Sequence, residues 1–291
     1  MRIRMNFEAF VKDIQENQWN VFGVEIYEDG ALTHRYGDTS DNRHPIYSAT
    51  KTITSLAVGL AIDEGKLKLD ESILNYLPLE AVRNLPKKQL ETYKSISMER
   101  LLTMSVQGYP FRPEGDSWLS YSLNVPLENV NERIFEYNNV AAYLVGVATS
   151  CAVNQDLYDY LERKLFQPLG IINPPFERCP EGYFYGASKM ELTVNELSRI
   201  GLLLYNNGVY AGKRIISPEY IKAATSLQQT NREDGYGYLI WKYGNGCSIN
   251  GKFMQRCYIL PDECKVITYL SHIEHKSCKL IDSMKKNILM T

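Results

Sequence analysis

Apolar and polar positions follow strand-like spacing near both ends of the chain and helical spacing between them. Residues 21–27 (Val-Phe-Gly-Val-Glu-Ile-Tyr) and 31–37 (Ala-Leu-Thr-His-Arg-Tyr-Gly) flank Glu28-Asp29-Gly30. Short β-rich runs on either side of an Asp-Gly turn predict a hairpin. From Thr52 to Glu64 the period changes. Ile53, Leu56, Ala57, Leu60 and Ala61 recur at helical spacing, and Gly65 marks the stop. Helical patterns then dominate from about 66 to 225, clearest over Met98–Met104, Val140–Cys151 and Thr193–Asn206. The tail returns to strands. Gly237–Tyr243 precedes the turn Gly244-Asn245-Gly246, and Phe253–Leu260 turns at Pro261-Asp262-Glu263 into Lys265–Ser271. Leu280, Met284 and Ile288 then line one stripe of an amphipathic segment.

This order predicts an α+β fold. The N-terminal hairpin and the C-terminal meander share one antiparallel sheet, with helices flanking it and a helical lobe between. The expected division is residues 1–65 and 226–291 for the sheet-bearing lobe and 66–225 for the helical lobe. A cleft between lobes is where a ligand is expected.

Composition changes this picture little. The chain has 291 residues, 44% hydrophobic and 23% charged, which is ordinary for a soluble globular protein. A net charge of −2 gives no broad electrostatic case for nucleic acid or a membrane surface as partner. No apolar run approaches 18 residues, and the basic start Met1–Arg4 leads into no apolar stretch, so a cytoplasmic location is expected. The six cysteines (Cys151, Cys179, Cys247, Cys257, Cys264, Cys278) show no C-x-x-C and read as reduced, mostly buried thiols. The 21 tyrosines, against 9 phenylalanines, suit a polar-lined cleft, although half-buried surface positions account for most of them.

Metal and cofactor signals are weak. Only four histidines occur, with no H-E-x-x-H; His272 and His275 stand at i, i+3 across a predicted strand end, so no metal is expected. Neither a G-x-S-x-G elbow nor a P-loop or dinucleotide fingerprint is present, so no cofactor is expected.

The candidate chemistry lies at Ser48-Ala49-Thr50-Lys51, where extended chain gives way to helix. A hydroxyl and an amine three residues apart share one helix face. An amine held there can take the serine proton and make the hydroxyl a nucleophile. The spacing is common, and Ser283-Met284-Lys285-Lys286 repeats it. On local sequence alone Ser48 reads as a helix cap and Lys51 as a solvated helix residue.

The later motifs decide between these readings. Gly65-Lys66-Leu67-Lys68-Leu69-Asp70, Leu101-Leu102-Thr103-Met104-Ser105, Phe135-Glu136-Tyr137-Asn138-Asn139, Leu165-Phe166-Gln167-Pro168-Leu169-Gly170 and Glu191-Leu192-Thr193-Val194-Asn195-Glu196 follow in order. With them the chain resembles the serine β-lactamase and DD-peptidase superfamily, over roughly residues 20 to 272. Within it the chain is most similar to the class C-like branch that includes carboxylesterases and nylon-oligomer hydrolases.

The resemblance implies a β-lactamase/transpeptidase-like fold and a role for each motif residue. Ser48 is the nucleophile, Lys51 its base, and Tyr137 a proton shuttle that needs the Lys51 charge nearby to reach a useful pKa. Asn139 orients a substrate amide, although by itself it reads as the cap of the Val140 helix. The third element falls on Ile249-Asn250-Gly251. Asn250 and Gly251 line the substrate, and the backbone N–H of Lys252 joins that of Ser48 in an oxyanion hole. Ile249 stands where a cation or imidazole is usual, and Met254 replaces a common glycine. The expected activity is therefore an ester or amide hydrolase acting on a small molecule through an acyl-enzyme. The rivals are a β-lactamase or DD-peptidase, and a weakly catalytic binding or sensor protein.

Overall fold

The structure, a computed structural model, describes residues 5–274 and 278–289. Its main sheet has six strands: β1 (Val21–Glu28), β2 (Ala31–Gly37), β3 (Trp241–Tyr243), β4 (Gly246–Gly251), β5 (Gln255–Leu260) and β6 (Lys265–Ser271). Their order is β2-β1-β6-β5-β4-β3. The two ends of the chain meet at β1 and β6, which pair antiparallel with Val24 opposite Tyr269 and Ile26 opposite Ile267. The expected hairpin is present, with Glu28 opposite Ala31 across the Asp29-Gly30 turn.

Both faces of the sheet are covered. On one face lie α1 (Phe7–Glu16) and the C-terminal segment, where Phe10, Ile14, Leu280, Met284 and Ile288 cluster with Val24, Ile26 and Tyr269. The stripe expected over Leu280, Met284 and Ile288 is this contact. The other face joins the main core, and a helix from the middle of the chain, Val194–Tyr205, lies on it. The stretch 66–225, expected to build the helical lobe, therefore also supplies a helix to the sheet.

Three boundaries differ from the sequence expectation. The strand expected at 237–243 is confined to Trp241–Tyr243, because Leu239 turns to φ +55° and its N–H bonds to the Leu102 carbonyl. The strand expected from Phe253 begins at Gln255, because Phe253 (φ +59°) and Met254 (φ +69°) form the turn out of β4. The helix expected from Thr52, here α2, runs Thr50–Asp63 and is preceded by a single 3-10 turn, Tyr47–Ala49.

Helix α2 is the axis of the molecule. Its sequence shows an apolar stripe, yet every residue from Thr50 to Ala61 is buried. A helix buried all round must satisfy its polar side chains internally. Each hydroxyl here binds a different neighbour: Thr50 the Tyr47 carbonyl, Thr52 that of Leu239, Thr54 that of Gly186, and Ser55 the Tyr220 hydroxyl. These bonds fix the rotation of α2 and so fix where Lys51 points.

Candidate active site

A two-residue bridge, His44–Pro45 with Glu191–Leu192, delivers the chain to the start of α2. Tyr47 then takes φ +49°, a left-handed conformation that costs a non-glycine residue on the order of 1 kcal/mol. This bend sets Ser48 at the entrance of the helix, half-buried. Lys51 follows one turn later and is 1% exposed.

The Lys51 amine has three neighbours. Its Nζ lies 3.2 Å from Ser48 Oγ, 2.5 Å from Asn139 Oδ1 and 2.8 Å from the Ala187 carbonyl oxygen. No carboxylate pairs with it among the described residues. Burial without a counter-charge disfavours the ammonium and lowers its pKa from 10.5 to about 7. The geometry suits the neutral amine. Two N–H bonds go to Asn139 and Ala187, and the lone pair is left for the Ser48 hydroxyl.

Asn139 reaches Lys51 because Asn138 takes the cap. Asn138 Oδ1 accepts from the Ala141 N–H, and the helix begins at Asn139 and runs to Val153. The reading of Asn139 as the cap is thereby corrected: the preceding asparagine caps, which frees the Asn139 side chain. Its Nδ2 donates to the Tyr185 hydroxyl at 3.0 Å. Both ends of the amide are thus held.

Tyr137 stands over the same amine, with Lys51 Nζ 4.9 Å from its ring centroid. Burial pushes its pKa up to about 12, and the interaction of its hydroxyl with Ser48 only partly opposes this. The expectation that the Lys51 charge brings this phenol down is corrected here. The amine sits against the ring face, and desolvation outweighs every favourable contact. A phenol held there keeps its proton near neutral pH and has one to give. Trp241, at 5.3 Å between centroids, and Tyr236, at 6.2 Å, pack around its ring.

The third element approaches from the sheet. β3 pairs with β4 only as far as Ser248, so the outer edge of Ile249, Asn250 and Gly251 is not covered by β3. A Cβ on Gly251 would run into the Ile46 carbonyl oxygen, so only glycine lets this strand end lie against the segment leading into Ser48. Lys252 continues the chain there, with its ammonium 4.4 Å from the Phe253 ring centroid, and Phe253 in turn packs on Tyr47. Asn250 Oδ1 is buried with no hydrogen-bond partner among the described residues. Ile249 is fully buried in the main core, so it presents nothing polar to a substrate.

Ser48, Lys51, Tyr137 and Asn139 thus converge, and Gly251 lies against the chain entering Ser48. The sequence reading missed the wall behind Lys51, made by Tyr185 and the Ala187 carbonyl. Gly186 between them carried the only available signal, since a Cβ there would collide with Thr54. Among the histidines of the doubtful metal pair, His272 stacks on Phe253, and His275 lies outside the described residues. The five cysteines whose side chains are described are free thiols. No helix among the described residues is long and apolar enough to cross a membrane.

Comparison with known proteins bears on the family and the fold. The chain is 27% identical over 218 residues to beta-lactamase-like protein 2 of Dictyostelium discoideum, covering 70% of this chain and 36% of that protein. It is 23% identical over 223 residues to the 6-aminohexanoate-dimer hydrolase of Paenarthrobacter ureafaciens, covering 70% of this chain and 56% of that one. The chain therefore spans about a third to a half of the length of these relatives. Among solved structures, a penicillin-binding protein homologue from Caulobacter crescentus shares the fold with a TM-score of 0.72 at 14% identity, covering 97% of this chain and 96% of that one. The Beta-lactamase family profile matches residues 9–280, and the chain belongs to that family.

Proposed function

We propose that this protein is a serine hydrolase that cleaves an ester or amide bond of a small molecule through an acyl-enzyme on Ser48. The observation that carries the reading is the buried, unpaired Lys51 amine 3.2 Å from the Ser48 hydroxyl. A base is most effective when its pKa lies near the working pH, and burial brings this amine to about 7.

In this mechanism Ser48 Oγ bonds to the carbonyl carbon while its proton passes to Lys51 Nζ. The negative carbonyl oxygen is held by the backbone N–H groups of Ser48 and Lys252. The C–O or C–N bond then breaks, and the leaving group takes a proton from Tyr137, which Lys51 re-protonates. Water attacks the acyl-enzyme by the same steps in reverse. Asn250 and Gly251 line the substrate along the open edge of β4, and Asn139 keeps the lysine aligned.

A second reading, penicillin binding or hydrolysis, has the family membership and the Caulobacter homologue in its favour. The burial of Ile249 counts against it, since no cation at that position can meet a β-lactam carboxylate. Labelling with a fluorophosphonate and with a fluorescent penicillin, beside turnover of short-chain aryl esters, tests both. Fluorophosphonate labelling and ester turnover, both lost in Ser48→Ala, are expected. Turnover that survives in Ser48→Ala overturns the nucleophile assignment. Penicillin labelling with fast release favours the second reading, and no labelling by either probe favours a binding or sensor protein.

A further inference from the structure

The turn that leaves β4 carries the backbone N–H of Lys252, and its residues do not favour its conformation. Phe253 (φ +59°) and Met254 (φ +69°) are both left-handed, and neither is glycine. Such a turn persists only where its surroundings over-determine it. Here three side chains do so. Arg256 Nη1 donates to the Gly251 carbonyl at 3.1 Å. Gln255 Nε2 donates to the Lys252 carbonyl at 3.0 Å. The Ser271 hydroxyl is shared between the carbonyls of Phe253 (2.8 Å) and Met254 (3.1 Å). Four successive carbonyls are thus held by side chains.

The holders are themselves fixed. Gln255 is 1% exposed, and its amide grips both polar atoms of the Ser271 backbone. Nε2 donates to the Ser271 carbonyl at 2.6 Å, and Oε1 accepts from the Ser271 N–H at 3.0 Å. Ser271 ends β6, which is paired with β1. Arg256 Nη1 makes a second bond, to the Gln255 carbonyl at 2.9 Å.

The arginine bond sets a direction. The Gly251 carbonyl and the Lys252 N–H are two ends of one trans peptide, so they point opposite ways. Arg256 belongs to β5, which flanks β4 on one edge. Holding the carbonyl from the β5 side turns the N–H toward the other edge, which β3 leaves uncovered beyond Ser248. This strand end lies against the segment leading into Ser48. The donor is also charged, and a charge-assisted bond at the carbonyl end strengthens the N–H of the same peptide as a donor.

We infer that Arg256 is a positioning residue for the oxyanion hole. Within the frame of Gln255 and Ser271 it aims the Lys252 N–H at the substrate carbonyl oxygen and polarises it. This rests on the acyl-enzyme reading, in which that N–H and the Ser48 N–H share the developing negative charge. A donor already aimed needs no reorganisation when the charge appears, so its effect falls on kcat rather than KM.

The test compares an aryl ester with its thiono counterpart, in which sulfur replaces the carbonyl oxygen. Sulfur accepts hydrogen bonds poorly, so the oxo-to-thiono rate ratio reads the hole. Arg256→Met is expected to lower kcat for the oxo ester about tenfold, a part of the roughly hundred- to thousandfold effect of a whole donor, with KM within about twofold. The ratio should fall by the same factor. Arg256→Lys should keep most of both, because one nitrogen, Nη1, makes both bonds and an ammonium can replace it. A loss in folded Arg256→Met that falls equally on both esters is one of structure and overturns the inference while keeping the hydrolase.

A parent that turns over no ester discards the hydrolase reading, and 15N relaxation of the Lys252 N–H then decides the rest. An N–H as ordered as those of β4 in the parent, and looser in Arg256→Met, keeps Arg256 as the residue that orients it. An N–H equally ordered in both overturns that role.

Discussion

The chain carries the same spacing of serine and lysine twice, and the two copies live in different surroundings. Ser48 and Lys51 open a helix buried all round, and the amine is enclosed by Ser48, Asn139 and Ala187. Ser283 and Lys286 lie at the edge of the sheet-covering layer. The Ser283 hydroxyl donates to Asp13 Oδ2 at 2.6 Å and accepts from Asn287 Nδ2 at 3.1 Å, so it ties α1 to the C-terminal segment. Lys286 is exposed, and it lies in a π-helical stretch, Lys285–Leu289, whose wider turn carries it off the serine's face. Spacing alone therefore specifies only that the two groups can meet. Desolvation and two fixed acceptors, the Asn139 side-chain oxygen and the Ala187 carbonyl, set the first pair apart and suit the base and nucleophile proposed for it.

The sharpest way to break this comparison is to remove the same atoms from both copies. Ser48→Ala and Lys51→Met are each expected to lower kcat/KM for an aryl ester by at least about a thousandfold. Ser283→Ala and Lys286→Met are expected to leave it within about twofold. Steady-state kinetics on the four variants decides the matter. Comparable losses at both copies would show that burial is not what distinguishes them. Tyr137→Phe comes next, with an expected loss of about a hundredfold from removing one proton donor. That loss should shrink for esters of more acidic phenols, which leave without a proton.

Titration sharpens the same contrast. In the proposed mechanism neutral Lys51 is the active form, so kcat/KM should rise tenfold per pH unit below about 7 and level off above it. Tyr137, held up at about 12, stays protonated and adds no alkaline fall in the working range. Stability follows the same group. The unfolded lysine holds its proton up to 10.5, while the folded one releases it near 7. Between those values the unfolded state binds more protons, so stability should rise with pH, by up to about 5 kcal/mol from this group. Denaturant melts across pH 7–10 should show a shallower rise in Lys51→Met than in the parent. An unchanged slope would mean that Lys51 titrates normally. Lys286→Met should leave the slope untouched.

Much of this was readable from the residues, and the boundary of legibility has a physical cause. The hairpin at Asp29-Gly30 and strand β6 followed from alternation and turn residues, because both are local signals. The α+β class followed from element order and the family from ordered motifs. The burial of the polar face of α2 was not readable. Thr50, Thr52, Thr54 and Ser55 look solvent-facing until the segments they bond to, 132 to 187 residues away for the last three, are in place. The lysine pocket was half legible for the same reason. Asn139 belongs to a recognisable motif, whereas the Ala187 carbonyl is a backbone atom with no sequence signature. The turn at Phe253 and Met254 was also hidden, since neither residue type favours positive φ.

Two smaller effects complete the series. Gly251→Ala places a Cβ against the Ile46 carbonyl and should destabilise the protein by about 2 kcal/mol, with a loss of activity larger than the loss of folded protein. Circular dichroism at the assay temperature separates the two losses. Unaltered turnover in a folded Gly251→Ala protein would mean that the strand end does not meet the substrate.

The smallest effect belongs to the second copy of the motif, and there it should be one of stability alone. Ser283→Ala removes a buried hydroxyl that joins Asp13 to Asn287, but Asn287 Nδ2 still donates directly to Asp13 Oδ2 at 3.0 Å. One donor to the carboxylate remains, so the carboxylate is not orphaned, and the net cost should be near that of a single hydrogen bond, about 1 kcal/mol. In a chain of this size that lowers the melting temperature by roughly 2 °C. Asp13→Ala in the Ser283→Ala background should then cost less than in the parent, because the two share that bond. A serine that lowers melting without touching turnover, set beside one that abolishes turnover, is the outcome expected when one spacing serves packing at one end of the chain and chemistry at the other.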